Sequence, residues 1–120
     1  MNAHDTYVSD STYEKLKKVG FDWDYWDRLL NMFAKRPQVS LSVAQKWLRE
    51  YTDGHVIVMP STSNGSYFYG IYARVQDRET RGYYFNKVCY GGLDNSYTYE
   101  EALEKGINEA LDIMLEGGNQ

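Results

Sequence analysis

The chain has 120 residues and carries 13 Lys and Arg against 17 Asp and Glu, a formal net charge of −4. With 42% apolar and 25% charged residues it holds the material for one hydrophobic core, which excludes a wholly disordered acidic chain and fits a single domain. Twelve Tyr, four Phe and three Trp bring the aromatic share to 16%, so the architecture must house many large rings.

Residues 1–9 read as a loose tail without the apolar stretch of a secretory signal. Asp10 or Ser11 is placed to cap a short helix that runs to Val19, bears Lys15, Lys17 and Lys18 on its charged face, and stops at Gly20. Trp23, Trp26, Leu30 and Phe33 then recur at helical spacing and predict a second helix, which the run Lys35-Arg36-Pro37 ends. Residues 10–39 are thus a helical N-terminal extension. From Ser40, a good cap, the spacing predicts a helix whose apolar stripe is Leu41, Ala44, Trp47, Leu48 and Tyr51 and which ends at Asp53-Gly54.

The β-branched run His55-Val56-Ile57-Val58-Met59, closed by Pro60, predicts a first strand, and Asn64-Gly65 marks a turn inside a longer loop. Alternation puts Tyr67, Tyr69, Ile71, Ala73 and Val75 on one face of a second strand and Phe68, Gly70, Tyr72 and Arg74 on the other. After the polar tip 76–81, residues 83–90 form a third strand ending before Gly91-Gly92. Thr98 and Glu101 have capping-box spacing and open a last helix through Leu103, Ile107, Ala110, Leu111 and Met114, with Gly106 marking a close approach to the sheet.

The expected fold class is α+β: a three-stranded antiparallel meander with two helices on one face, in the order α-β-β-β-α over residues 40–116, preceded by one or two N-terminal helices and followed by a tail at 117–120. Of the twelve tyrosines, Tyr67, Tyr69, Tyr72, Tyr83, Tyr84, Tyr90, Tyr97 and Tyr99 lie in this sheet region or just before the last helix. Alternation cannot bury them all on one side, so some must occupy the second sheet face.

Three stretches, Tyr13-Glu14-Lys15-Leu16 through Val19-Gly20-Phe21-Asp22, Ala44-Gln45-Lys46-Trp47-Leu48-Arg49-Glu50, and Thr98-Tyr99-Glu100-Glu101-Ala102-Leu103-Glu104-Lys105-Gly106, resemble a family of small uncharacterised proteins of bacterial phages and mobile elements. The resemblance implies a genomic setting and no activity. The α-β-β-β-α order is also similar to the topology of the double-stranded-RNA-binding domain. That family presents basic residues at the start of its last helix, where this chain has Thr98, Tyr99, Glu100 and Glu101, which repel phosphate.

Chemical motifs are sparse. His4 and His55 have no cysteine or carboxylate at metal-ligand spacing, Asp22, Asp24 and Asp27 lack the glycine and terminal glutamate of a calcium loop, and Gly91-Gly92 has no following lysine. No catalytic residue, cofactor or metal is expected. Cys89 cannot pair within the chain and reads as a buried structural thiol in a reducing compartment. No window approaches a membrane span, so a cytoplasmic protein without a membrane partner is expected.

Two surfaces remain. Trp23, Trp26, Leu30 and Phe33 form a candidate protein interface, for a partner or a homodimer, unless they cover the core. Arg74, Arg78, Arg81 and Lys87, beside Phe68, Tyr72 and Tyr84, form a candidate surface for single-stranded nucleic acid; the simpler reading is that Arg78 and Arg81 solubilise a hairpin tip partly neutralised by Asp77 and Glu79. The leading expectation is a non-enzymatic accessory or interaction protein that binds a protein or itself through aromatic surface. Single-stranded nucleic-acid binding is the alternative, and a small enzyme of unrecognised type, which a deep pocket with convergent polar groups would support, the third.

Overall fold

The computed structural model describes residues 7–21 and 39–117, which form α1 (Asp10–Lys18), α2 (Leu41–Thr52), β1 (Gly54–Pro60), β2 (Tyr67–Gln76), β3 (Tyr83–Gly91) and α3 (Tyr99–Gly117) in chain order. The expected helix over residues 23–33 lies outside the described residues. Caps set the helix starts. Ser9, rather than Asp10 or Ser11, opens α1: its hydroxyl accepts from Thr12 N at 3.3 Å, and Asp10 falls in the first turn, where its charge meets the positive end of the helix dipole. Ser40 opens α2 by accepting from Val43 N at 3.2 Å. Thr98 and Glu101 form the expected capping box, with Glu101 N donating to Thr98 Oγ1 at 3.1 Å and Thr98 N donating to Glu101 Oε1 at 2.9 Å.

The strands form one antiparallel sheet in the order β1-β2-β3. Val56 opposes Ile71, Val58 opposes Tyr69, and Cys89 opposes Ile71 from the other side, so these residues share the inner face. α3 lies over β1 and β2, α2 borders β1, and α1 packs on α3. The two-helix cover on one face is therefore as expected. Leu48, Val56, Ile107 and Leu111 are fully buried at its centre, and Leu16 of α1 and Phe21 join the same cluster. Tyr51, assigned to the buried stripe of α2, instead stays 64% exposed and stacks on Trp47 at 5.8 Å, because no described element reaches past Trp47 to cover it.

Polar contacts fix α1 against α3. Lys15 Nζ reaches Asp112 at 2.8 Å and Asn108 at 3.0 Å, while the Thr12 hydroxyl donates to Glu104. At the β1 edge, Gln45 Nε2 of α2 donates to the Val56 carbonyl at 2.7 Å.

β3 departs from simple alternation. Ile71 opposes Cys89 but Tyr72 opposes Lys87, so Val88 is an extra residue, a β-bulge. Below the bulge every side chain of β3 changes face relative to an unbroken strand.

Gly106 is the point of closest approach between α3 and the sheet: a Cβ there would lie 2.6 Å from Val56 Cγ1 and 3.1 Å from Tyr69 Cγ. In an open helix, Gly106→Ala gains about 1 kcal/mol of propensity, but overpacking of a filled core costs about 1–3 kcal/mol. Val56 is fully buried and β-branched, so it has little room to yield. Denaturant unfolding of Gly106→Ala is expected to show a net loss of up to about 2 kcal/mol at unchanged m-value, whereas a stabilised variant would contradict this packing.

Candidate functional site

The described helices pack on the inner face, and the outer face collects a different set of residues. β1 contributes His55, Ile57 and Met59; β2 contributes Phe68, Gly70, Tyr72 and Arg74; β3 contributes Tyr83, Phe85, Lys87 and Tyr90. Tyr83, Phe85 and Tyr90 are 55%, 57% and 44% exposed, an unusual investment of aromatic area in water.

These side chains form two groups. In the first, Phe68 and Tyr72 both approach Tyr90 edge-on, at 5.9 and 6.3 Å, and the Tyr72 and Tyr90 hydroxyls are 3.1 Å apart. Lys87 Nζ lies 4.6 Å from the Tyr90 ring centre. Gly70 permits this arrangement, since a Cβ there would meet Met59, Tyr72 and Tyr90 at 2.9–3.0 Å. In the second group, Phe85 reaches across β2 to meet His55 edge-on at 4.8 Å, and the Arg74 guanidinium sits 3.6 Å from the Tyr83 ring centre. Between the groups lies a cleft of about 330 Å³ lined by His55, Ile57, Tyr72 and Phe85.

Of the residues assigned to a nucleic-acid surface from sequence, Phe68, Tyr72, Arg74 and Lys87 share this face. Arg78 and Arg81 lie at the β2–β3 turn beyond it. Tyr84 does not belong: it opposes Val75 on the inner face, because the bulge at Val88 shifts the parity of residues 83–87 and puts Phe85 where unbroken alternation would put Tyr84. Asp77, expected to neutralise the arginines, is engaged with the turn, its Oδ1 accepting from Glu79 N at 2.8 Å and Thr80 N at 3.3 Å. Trp23, Trp26, Leu30 and Phe33 lie outside the described residues. Sequence reasoning missed His55, Ile57, Tyr83, Phe85 and Tyr90 as site members; the alternation of β1 signalled the first two, and nothing in β3 signals a bulge.

Charge is segregated between the layers. None of the residues of β1, β2 and β3 is acidic, whereas α3 carries Glu100, Glu101, Glu104, Glu109, Asp112 and Glu116 against Lys105. Among the described residues Arg74, Arg78, Arg81 and Lys87 form no ion pair. Burial, followed by the positive charges of Arg49 and Arg74, holds the His55 imidazole below its ordinary pKa, with Asp53 opposing weakly. Its Nε2 is buried without a hydrogen-bond partner among the described residues.

A second, polar groove of about 410 Å³ runs along α3 past Tyr69, Tyr97 and Glu109. The Tyr69 hydroxyl and, at 3.4 Å, the Cys89 thiol both donate to the Glu109 carboxylate. Burial first, then the Glu109 contact, raises the pKa of both donors, so Cys89 is held as a thiol rather than a nucleophilic thiolate. Among the described residues no group of three or more His, Cys, Asp or Glu could hold a metal, and no helix is long and apolar enough to cross a membrane. The chain matches no family model, no curated protein and no solved structure.

Because His55 resists protonation in the folded state, the unfolded chain takes up more protons as pH drops through the ordinary His pKa of 6.5, and folding stability decreases as pH is lowered there. The stability difference between wild type and His55→Gln is expected to shift in favour of wild type as pH rises from about 5 to 7. A difference independent of pH, read by urea unfolding at several pH values, would contradict the placement of His55.

Proposed function

We propose that the protein is a non-enzymatic binding module whose outer sheet face takes single-stranded nucleic acid. The observation that carries this reading is a sheet face on which exposed rings alternate with Arg74 and Lys87 and from which carboxylates are absent. Unpaired bases stack on such rings whatever their sequence, and cations beside them meet the phosphates. A guanidinium seated over a ring, as Arg74 is over Tyr83, keeps N–H groups at its edge to donate. Arg78 and Arg81 lie beyond the sheet in a turn that also carries Asp77 and Glu79.

Competing partners fit less well. A duplex buries the faces of its bases, and the acidic start of α3 at Glu100 and Glu101 repels a second backbone contact. Pairing of another strand on the free edge of β3 is opposed by the bulge at Val88 and by Lys87, two devices that protect sheet edges. A cytoplasmic setting, in which Cys89 stays reduced, and an accessory role of phage or mobile-element type belong to the same proposal.

Fluorescence anisotropy with a labelled oligothymidylate tests it. Binding is expected at low salt, with log K falling against log salt at a slope of about −2 to −3, as for three or four phosphate contacts to a single strand. Arg74→Ala should reduce that slope by about 0.7. Absence of salt-dependent affinity overturns the proposal, and self-association through this face without oligonucleotide binding would assign the surface to a second copy instead.

A further inference from the structure

The two aromatic groups of the outer face do not meet, and the gap between them has a definite origin. Gly70 lets Tyr72 and Tyr90 fold down on one side, while Arg74 leaves the middle of the sheet to lie over Tyr83 on the other. Phe85 and His55 close the far wall. The resulting cleft is walled by two aromatic rings, an imidazole and the aliphatic side chain of Ile57. Its volume of about 330 Å³ is at the lower end of small-ligand sites, enough for one planar heterocycle with part of its sugar and too small for a dinucleotide.

We propose that this cleft is the seat of one unpaired nucleobase, stacked against Phe85 and Tyr72, within the single-strand track; the inference rests on the nucleic-acid reading and adds a subsite to it. Two features favour a nucleobase over an aliphatic protein side chain. The walls are the Tyr72 and Phe85 rings and the His55 imidazole, which favour a flat partner. Cations share the face with the cleft, Arg74 opposite Phe85 and Lys87 opposite Tyr72, and no strand residue is acidic, which favours a group joined to an anion.

The test compares an oligothymidylate with an abasic strand of the same length, each binding to wild type, Phe85→Ala and Phe85→Tyr. Wild type is expected to prefer the base-bearing strand by about 5- to 150-fold, the worth of one stacked base. Phe85→Ala should remove most of that preference while leaving the salt slope intact, and Phe85→Tyr should restore it. Phe85 is exposed on an edge strand, and Phe85→Leu, which keeps apolar bulk without a ring, separates stacking from folding. A base preference that survives in both Phe85→Ala and Phe85→Leu, with salt-dependent binding still present, overturns the base seat alone. Loss of salt-dependent binding to both strands in wild type overturns the single-strand reading with it.

Discussion

The extra residue at Val88 determines what the outer surface of this protein is. Without it, β3 would continue the alternation set by Cys89, and Tyr83, Phe85 and Lys87 would turn toward the helix side. With it, Lys87 opposes Tyr72 and Phe85 opposes Arg74 on the outer face, while Tyr84 and Asn86 take the inner positions. One inserted residue therefore collects rings from both halves of β3 on the face that already bears Phe68 and Tyr72. The same bulge, together with Lys87, blunts the free edge of β3 against strand addition, so it favours use of the face and disfavours use of the edge.

The inner layer makes this division possible. Gly106 lets α3 settle directly on Val56 and Tyr69, which concentrates the helical cover over β1 and β2 and leaves β3 exposed from Tyr83 to Val88. The acidic side chains travel with α3 to the opposite side, where Lys15 and Thr12 engage Asp112 and Glu104. A net charge of −4 thus conceals a polar molecule, acidic on α3 and basic or neutral on its sheet. For a ligand approaching the sheet, local sign matters more than the total.

Much of the fold was legible because it rests on local rules. Ser40 and the Thr98–Glu101 pair announced their helices through capping residues at the right spacing, and alternation separated the two faces of β2, of which the one bearing Tyr69 and Ile71 is buried. Ser9, Asp10 and Ser11 are all capping residue types, so composition alone does not select Ser9 as the cap; the chain's path does, with Val8 N donating to Val39 O at 2.8 Å just before it. The candidate surface was half legible. Phe68, Tyr72 and Arg74 follow from a period of two in a regular strand, but Phe85 in place of Tyr84 follows from a bulge, which is a property of pairing between strands and leaves no trace in the composition of one. The cleft beside His55 was further from view, since it depends on where Arg74 and Tyr72 lean as well as on which face they occupy.

The proposed binding surface is the outer sheet face and not the helix layer. Backbone and methyl chemical shifts followed during titration with a short single-stranded oligonucleotide test this most directly. Perturbations are expected to concentrate at Ile57, Phe68, Tyr72, Phe85, Lys87 and Tyr90, with Leu103, Ile107 and Leu111 of α3 unmoved. Perturbations centred on the α3 groove around Glu109, or none at all, would contradict it.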